Sequence, residues 1–361
     1  MSLRLTGAVA LAVALPAAAS TATIRIEGGS GNVLPETAVV VPGSPTAQVA
    51  VRDTTDPDTV TVARRSATAQ LARASTSFGL PFGFDVFDFG TGPSALVTRI
   101  GADKMPPSFS PSWRLKVNHR AADAGADTTL LKAGDRVLWS FGANFEALEL
   151  DLRLSRRVVT AGQSLGARVV SFDNAGVASP ARAARVWFAG TTVRAGADGR
   201  ATLRASNPGA YWASATLPGT VRSQRSLVCV QSAGRVEPCS AVAFPKQNAR
   251  TGRVGAIVGV VGAPSTRVQV SLARIVGSQC RFLDRDRRTF TDPGDCRDRI
   301  AIPVSVDTAR SWTLSIVPRP GNIDGIGPGR YRVWSRQALG ARIESRPTPG
   351  MNTVTFTVTG G

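Results

Sequence analysis

Histidine is almost missing from this chain of 361 residues, with His119 the single one. It is the side chain whose charge changes near neutral pH, so a chain with one carries little acid–base machinery. Lysine is scarce as well: four residues (Lys104, Lys116, Lys132, Lys246) among 43 basic ones, which makes arginine the carrier of positive charge. Cysteine is absent before Cys229 and never occurs as CxxC, so the usual spacing of a zinc site is lacking. The longest strongly apolar run, Ala8 to Leu15, is about eight residues, far too short to cross a bilayer. What remains is 43% hydrophobic, 19% charged and strongly basic, with a formal charge of +18. That composition is enough for two or three ordinary cores and excludes a disordered chain or a membrane bundle.

The N-terminus sets the compartment. Arg4, an apolar stretch, Pro16 and a string of small residues read as a secretory signal peptide over residues 1–20, with cleavage after Ala19, Ser20 or Ala22. A secreted or surface-associated protein is expected, with no membrane-spanning segment in the mature chain. In that compartment Cys229, Cys239, Cys280 and Cys296 are expected to form disulfides. Four cysteines allow three pairings, and their order in the chain favours the two local ones, Cys229 with Cys239 and Cys280 with Cys296. Each loop is worth roughly 3 kcal/mol in the chain-entropy model.

The mature chain divides into β-rich units. In the first, over 21–145, Ala22, Ile24 and Ile26 alternate with Thr23, Arg25 and Glu27, the pattern of a half-buried strand. Ala67, Leu71, Ala74 and Phe78 fall at helical spacing before Gly79, and strands on both sides of that helix predict an α+β unit. Later, Trp113, Leu115 and Val117 alternate with Arg114 and Lys116. The second unit, 146–231, opens on Leu148, Leu150, Leu152 and Leu154 and continues as short strands, which predicts a β-sandwich. Residues 232–251 read as a polar linker, and 252–361 as a second sandwich. Both tyrosines stand in Pro-Gly-x-Tyr, at Tyr211 and Tyr331, where an immunoglobulin-like sandwich bonds a tyrosine hydroxyl back to nearby backbone. The fold class expected is mainly β and multidomain: an N-terminal α+β domain, β-grasp-like by family resemblance, followed by two immunoglobulin-like β-sandwiches.

The run Ser112 to Gly142 resembles the end of the β-grasp-like family that forms the C-terminal domain of the cobalamin carriers transcobalamin and intrinsic factor and occurs in bacterial surface proteins. Trp113, Val117, Asn118, Lys132, Gly134, Asp135 and Trp139 carry the likeness, and His119 stands where that family has glycine. The resemblance implies a scaffold for a soluble ligand, but not cobalamin, since the carriers' helical barrel has no counterpart. Candidate ligand-binding residues are Trp113, Asn118, His119, Asp135 and Trp139, each with a plainer role as core aromatic or turn residue. The stretch from Thr160 to Gly176 with Gly196 to Leu203 is similar to bacterial immunoglobulin-like and carboxypeptidase-regulatory-like modules. The third unit is similar to immunoglobulin-like repeats of actinobacterial surface proteins.

Catalytic signatures fail on context. Gly162 to Gly166 fits G-x-S-x-G, but Ser164 sits at a turn-to-strand step and no histidine follows it. Gly90-Thr91-Gly92 mimics a dinucleotide loop that Pro93 interrupts. Asp284, Asp286, Asp292, Asp295 and Asp298 lie among arginines, so neither a metal nor any cofactor is expected there. The chain reads as a non-catalytic binding or surface-interaction protein of the cell envelope, with an unknown soluble ligand or envelope component as partner and no nucleic acid. Two alternatives are an exported enzyme or accessory using Asp135, Asn118 and His119, and a binder of anionic polysaccharide.

Overall fold

Strand β1 (Thr21–Glu27) turns back into β2 (Asn32–Val40), and the hairpin of β3 (Gln48–Arg52) and β4 (Thr59–Ala63) leads to helix α1 (Ala67–Phe78). Then come β5 (Phe82–Asp88), β6 (Pro93–Ile100), β7 (Asp103–Lys104), β8 (Ser112–Val117), β9 (Arg120–Ala121) and β10 (Arg136–Gly142). The computed structural model describes residues 21–44, 47–88, 93–234, 238–265, 267–307, 310–316, 326–339, 342–344 and 347–360. The expected signal peptide and Gly90 to Gly92 lie outside them.

The main sheet runs β2-β1-β10-β8-β9, with β1 and β10 parallel at its centre. Parallel neighbours need a crossover, and the helix and small hairpins supply it. This is a β-grasp arrangement. Helix α1 starts where Ser66 Oγ accepts the Ala69 N–H at 3.1 Å and stops at Gly79, whose φ of 63° favours glycine. Its buried stripe is the one that the spacing predicts, Ala67, Leu71, Ala74 and Phe78. The stripe shares a core with Ile24, Ile26, Trp113, Val137 and Trp139 from one face of the sheet.

The second unit packs two sheets face to face. β11 (Glu149–Leu154) and β13 (Ser164–Phe172) belong to one, and β12 (Val158–Thr160) joins Ser226–Gln231 in the other. Leu150, Leu165, Val169, Val186, Phe188 and Val228 fill the space between. The third unit is again two sheets around Val270, Leu272, Trp312, Leu314, Tyr331 and Phe356. Both tyrosines act as their setting predicts: Tyr211 Oη donates to Asn207 O at 3.1 Å and Tyr331 Oη to Gly327 O at 2.7 Å. Both local disulfides, Cys229–Cys239 and Cys280–Cys296, are present.

Two expectations need correction. The stretch read as a polar linker contributes a strand, Ser240–Phe244, buried at every position, and a short one, Arg250–Thr251, parallel to Thr353–Val358. The reason is its apolar run: Val242 points into the third unit's core, while Ala241 and Ala243 pack with Trp212, Leu227 and Cys229 of the second. Phe244 reaches the first unit as well, its ring edge-on to Phe78 at 5.7 Å.

The other correction concerns β1, which is buried on both faces. Arg25 (4% exposed) and Glu27 (2%) point away from the first core and are covered by the second unit. Arg25 Nη2 bonds Glu149 Oε1 of β11 at 3.0 Å, and Arg222 Nε lies 3.6 Å from Glu27 Oε2. Burial pushes the Glu27 carboxyl above its usual range, and Arg25, Asn32 and Arg222 only partly offset this. For Glu149 burial acts the same way, but His119, Arg25 and Arg136 outweigh it and hold that carboxyl below its usual range.

Removing one member of a buried pair strands the other charge and costs about 3 kcal/mol. Arg25→Met is expected to lower the free energy of urea unfolding by that amount at neutral pH. Glu149 is depressed in the folded state, so the stability it contributes is present above the ordinary carboxylate range and is lost as pH falls through its folded value. The deficit of the variant should therefore shrink on acidification; an equal deficit at all pH values would contradict the ion pair.

Candidate functional site

The five candidate residues fall into two places. Trp113 on β8 and Trp139 on β10 belong to the core face, where Trp139 is opposite Leu115 and Trp113 opposite Phe141. They are 7% and 2% exposed, so both are core aromatics, yet both also line a cavity of about 500 Å³. Its other walls are Phe87, Leu96 and Val97 of the β5–β6 hairpin, Phe109, and the 122–126 stretch. Trp113 Nε1 donates to Asp103 O at 3.3 Å, while the buried Trp139 Nε1 has no partner among the described residues. The cavity is thus apolar, and the Trp139 indole N–H is itself inaccessible to solvent. At its rim Leu96 is 37% and Phe109 51% exposed.

Asn118, His119 and Asp135 lie at the other end of β8. Asn118 (φ 52°) and His119 (φ 70°) form the tip of the β8–β9 hairpin, both left-handed as a two-residue turn between paired Val117 and Arg120 requires. Asn118 Nδ2 donates to Asp135 Oδ1 at 2.8 Å, its Oδ1 accepts the Arg136 N–H, and Asp135 Oδ2 accepts the Lys132 N–H. These bonds tie the hairpin tip to the turn before β10.

His119 goes elsewhere. Its ring stacks on Phe172 of β13 with centroids 3.8 Å apart and planes at 6°. Arg136 Nη1 lies 3.1 Å from Nε2, and Glu149 Oε2 lies 3.0 Å from Nδ1 without hydrogen-bond alignment. An arginine only donates, so Nε2 accepts and the ring proton sits on Nδ1, facing the carboxylate. His119 is therefore a joint between the first and second units, and Asp135 takes no part in it.

Sequence reasoning missed the residues that surround the tryptophans on the far side of β8. Arg114 and Lys116 alternate with the apolar side chains of β8, yet Lys116 is covered by the second unit. Lys116 is 5% exposed, its Nζ reaching Ala147 O at 3.4 Å and Asp173 O at 3.3 Å, and burial lowers its pKa. Nothing local to SWRLKV marks this, because the covering residues are on another unit.

A left-handed backbone costs a non-glycine residue about 1 kcal/mol, which glycine does not incur. His119→Ala loses stacking and keeps the strain, whereas His119→Gly loses both, so the glycine variant should be the more stable by about 1 kcal/mol in thermal or urea unfolding. Equal stabilities would show that the tip carries no strain.

No protein-family model matches the chain, and no curated protein matches its sequence. Among solved structures, the fibronectin(III)-like modules of Clostridium thermocellum CbhA match at 12% identity and a TM-score of 0.20, over 58% of this chain and 94% of that one. The D0-D1 domain of intimin matches at 13% and 0.25, over 57% and 97%, and the Yersinia pseudotuberculosis adhesin InvE at 17% and 0.21, over 60% and 61%. Scores at this level leave the description of the fold to the sheets themselves.

Proposed function

We propose that this chain is an exported, non-catalytic binding protein of the cell envelope that takes an apolar group into the cavity beside Trp113 and Trp139. The observation that carries this is an apolar cavity of about 500 Å³ walled by Trp113, Trp139, Leu96 and Phe109. A concave apolar site with few polar groups is the usual form of a ligand pocket. The order of the mixed sheet supports the likeness to the β-grasp-like domain of the cobalamin carriers. Two disulfides support maturation in an oxidising compartment. That Asp135 bonds Asn118 and Lys132, while His119 meets Arg136 and Glu149, supports structural roles for the three residues over an acid–base set.

N-phenylnaphthylamine, an uncharged apolar dye, is expected to brighten on binding and to quench tryptophan emission. Ala124→Trp, an exposed cavity-lining position, should fill the space and abolish binding without loss of stability. Dye uptake unchanged by that substitution would refute the site.

One observation favours a second role, in holding anionic polysaccharide. Arg330, Arg332 and Arg336 share one face of Gly329–Leu339, and Arg299 and Arg332 lie 4.8 and 5.7 Å from the Trp334 ring. Burial lowers the Arg299 pKa, and the charges of Arg336 and Arg332 add to this. Among the described residues none of Arg299, Arg332 and Arg336 pairs with a carboxylate. Replacing these three by glutamine should shift elution from a heparin column to clearly lower salt, more than replacing three scattered arginines such as Arg52, Arg168 and Arg185. Equal shifts would leave only a diffuse charge effect.

A further inference from the structure

Strand β8 has one paired edge and one open edge. Asn118 N–H donates to Arg136 O at 2.8 Å, and the ladder with β10 follows from there. Alternation then turns the N–H and C=O of Arg114 toward β10 and those of Trp113 and Leu115 to the other side. There β9 pairs with Lys116 and Val117, and the Ala122 N–H donates to Leu115 O at 3.1 Å. Beyond Ala122 the described chain makes no further main-chain bond to this edge, and Thr128 and Thr129 N–H both fall on Gly125 O. The N–H and C=O of Trp113 and the N–H of Leu115 have no main-chain partner among the described residues.

Two cavities flank this edge, and Trp113, Leu115 and Ala122 line both. On the core face lies the apolar cavity described above. On the other face a cleft of about 470 Å³ holds Arg114, Lys116 and Arg222, with Glu27 and Glu146 as the opposing charges. Glu27 is engaged by Arg25 and Arg222, and Glu146 accepts from Asn174 Nδ2 at 2.9 Å. Among the described residues Arg114 and Lys116 pair with no carboxylate; Arg114 Nε and Nη1 are buried without a partner, and its guanidinium sits 3.5 Å from the ring centre of Phe145, which is 65% exposed.

An extended chain laid along an edge sends successive side chains to opposite faces, and residues directly opposite each other share a face. A side chain opposite Trp113 would enter the apolar cavity, and its neighbour, opposite Arg114, the cationic cleft. We propose that the open edge of β8 accepts an added β-strand from a partner polypeptide, with an apolar residue opposite Trp113 and an acidic residue opposite Arg114. This rests on the reading of the apolar cavity as a binding site and names what fills it. Main-chain bonds to Trp113 and Leu115 supply affinity independent of sequence, and the two cavities set register and specificity. Unsatisfied main-chain groups at strand spacing favour a polypeptide over a small amphiphile.

The test uses fluorescence anisotropy on the full chain with a capped octapeptide alternating valine and aspartate. This peptide should saturate. A twin N-methylated at alternate valines keeps every side chain but loses its main-chain donors, and should bind at least about tenfold more weakly. A lysine-for-aspartate twin should lose a similar factor, and Arg114→Glu, checked for folding by circular dichroism, should reverse that preference. Equal binding of the parent and N-methylated peptides overturns strand addition. No saturation by any peptide, with N-phenylnaphthylamine still bound, also overturns it but leaves the cavity reading standing. Decanoate saturating where peptides do not would assign the site to small anionic amphiphiles instead, and loss of dye binding as well would remove both readings.

Discussion

The layer of charge between the first sheet and the second unit governs the rest of the molecule. Arg25, Glu27, Lys116 and Glu149 are all nearly inaccessible, and Arg136 bonds Glu36 at 2.9 Å at the edge of the same layer. Charges are expensive to remove from water, and the cost is tolerable only where each finds a partner. Here partners come from both units: Arg25 reaches Glu149, Arg222 reaches Glu27, and His119 sits between Arg136 and Glu149. An apolar interface tolerates sliding more readily than one whose contacts are directional hydrogen bonds and ion pairs. This layer therefore fixes where β8 lies and what covers its back.

From that placement the chemistry of β8 follows. Its core face carries Trp113 and Leu115 toward a cavity closed by the β5–β6 hairpin, and its back face carries Arg114 and Lys116 into the cleft under the second unit. Between them the edge is left bare because β9 is only two residues long. Open edges are normally blunted because they recruit other strands. An edge with a shaped cavity on each side has instead the features of a recognition surface. The third unit adds a separate feature, guanidinium groups gathered around Trp334 with neutral acceptors such as Thr355 Oγ1 and Glu344 O.

Much of this was written locally. Ala67, Leu71, Ala74 and Phe78 before Gly79 mark out a helix without reference to its neighbours, because the period of the apolar side chains and the left-handed stop are properties of the segment. The pairing of neighbouring cysteines and the two tyrosine corners are equally local, since each involves residues that are close in sequence. Trp113 and Trp139 could be chosen from a motif, although as core aromatics and cavity walls they serve two ends at once. The plainer roles weighed for Asn118 and Asp135, as turn residues, describe what they do.

Alternation along a strand says which side chains share a face, and here it correctly separated Ile24 and Ile26 from Arg25 and Glu27, and Trp113 from Arg114. It cannot say whether the second face meets water or another unit. That depended on residues more than a hundred positions away, such as Glu149 for Arg25, and on Ala241 to Phe244 lying between units instead of linking them. The sequence by itself determined the elements, their faces and the bridges within them, because those follow from local periodicity and chain proximity. Tertiary structure alone decided that the polar face would be buried, that His119 would become a joint, and that one strand edge would stay open between two cavities. Those outcomes are set by which surfaces must be dehydrated together.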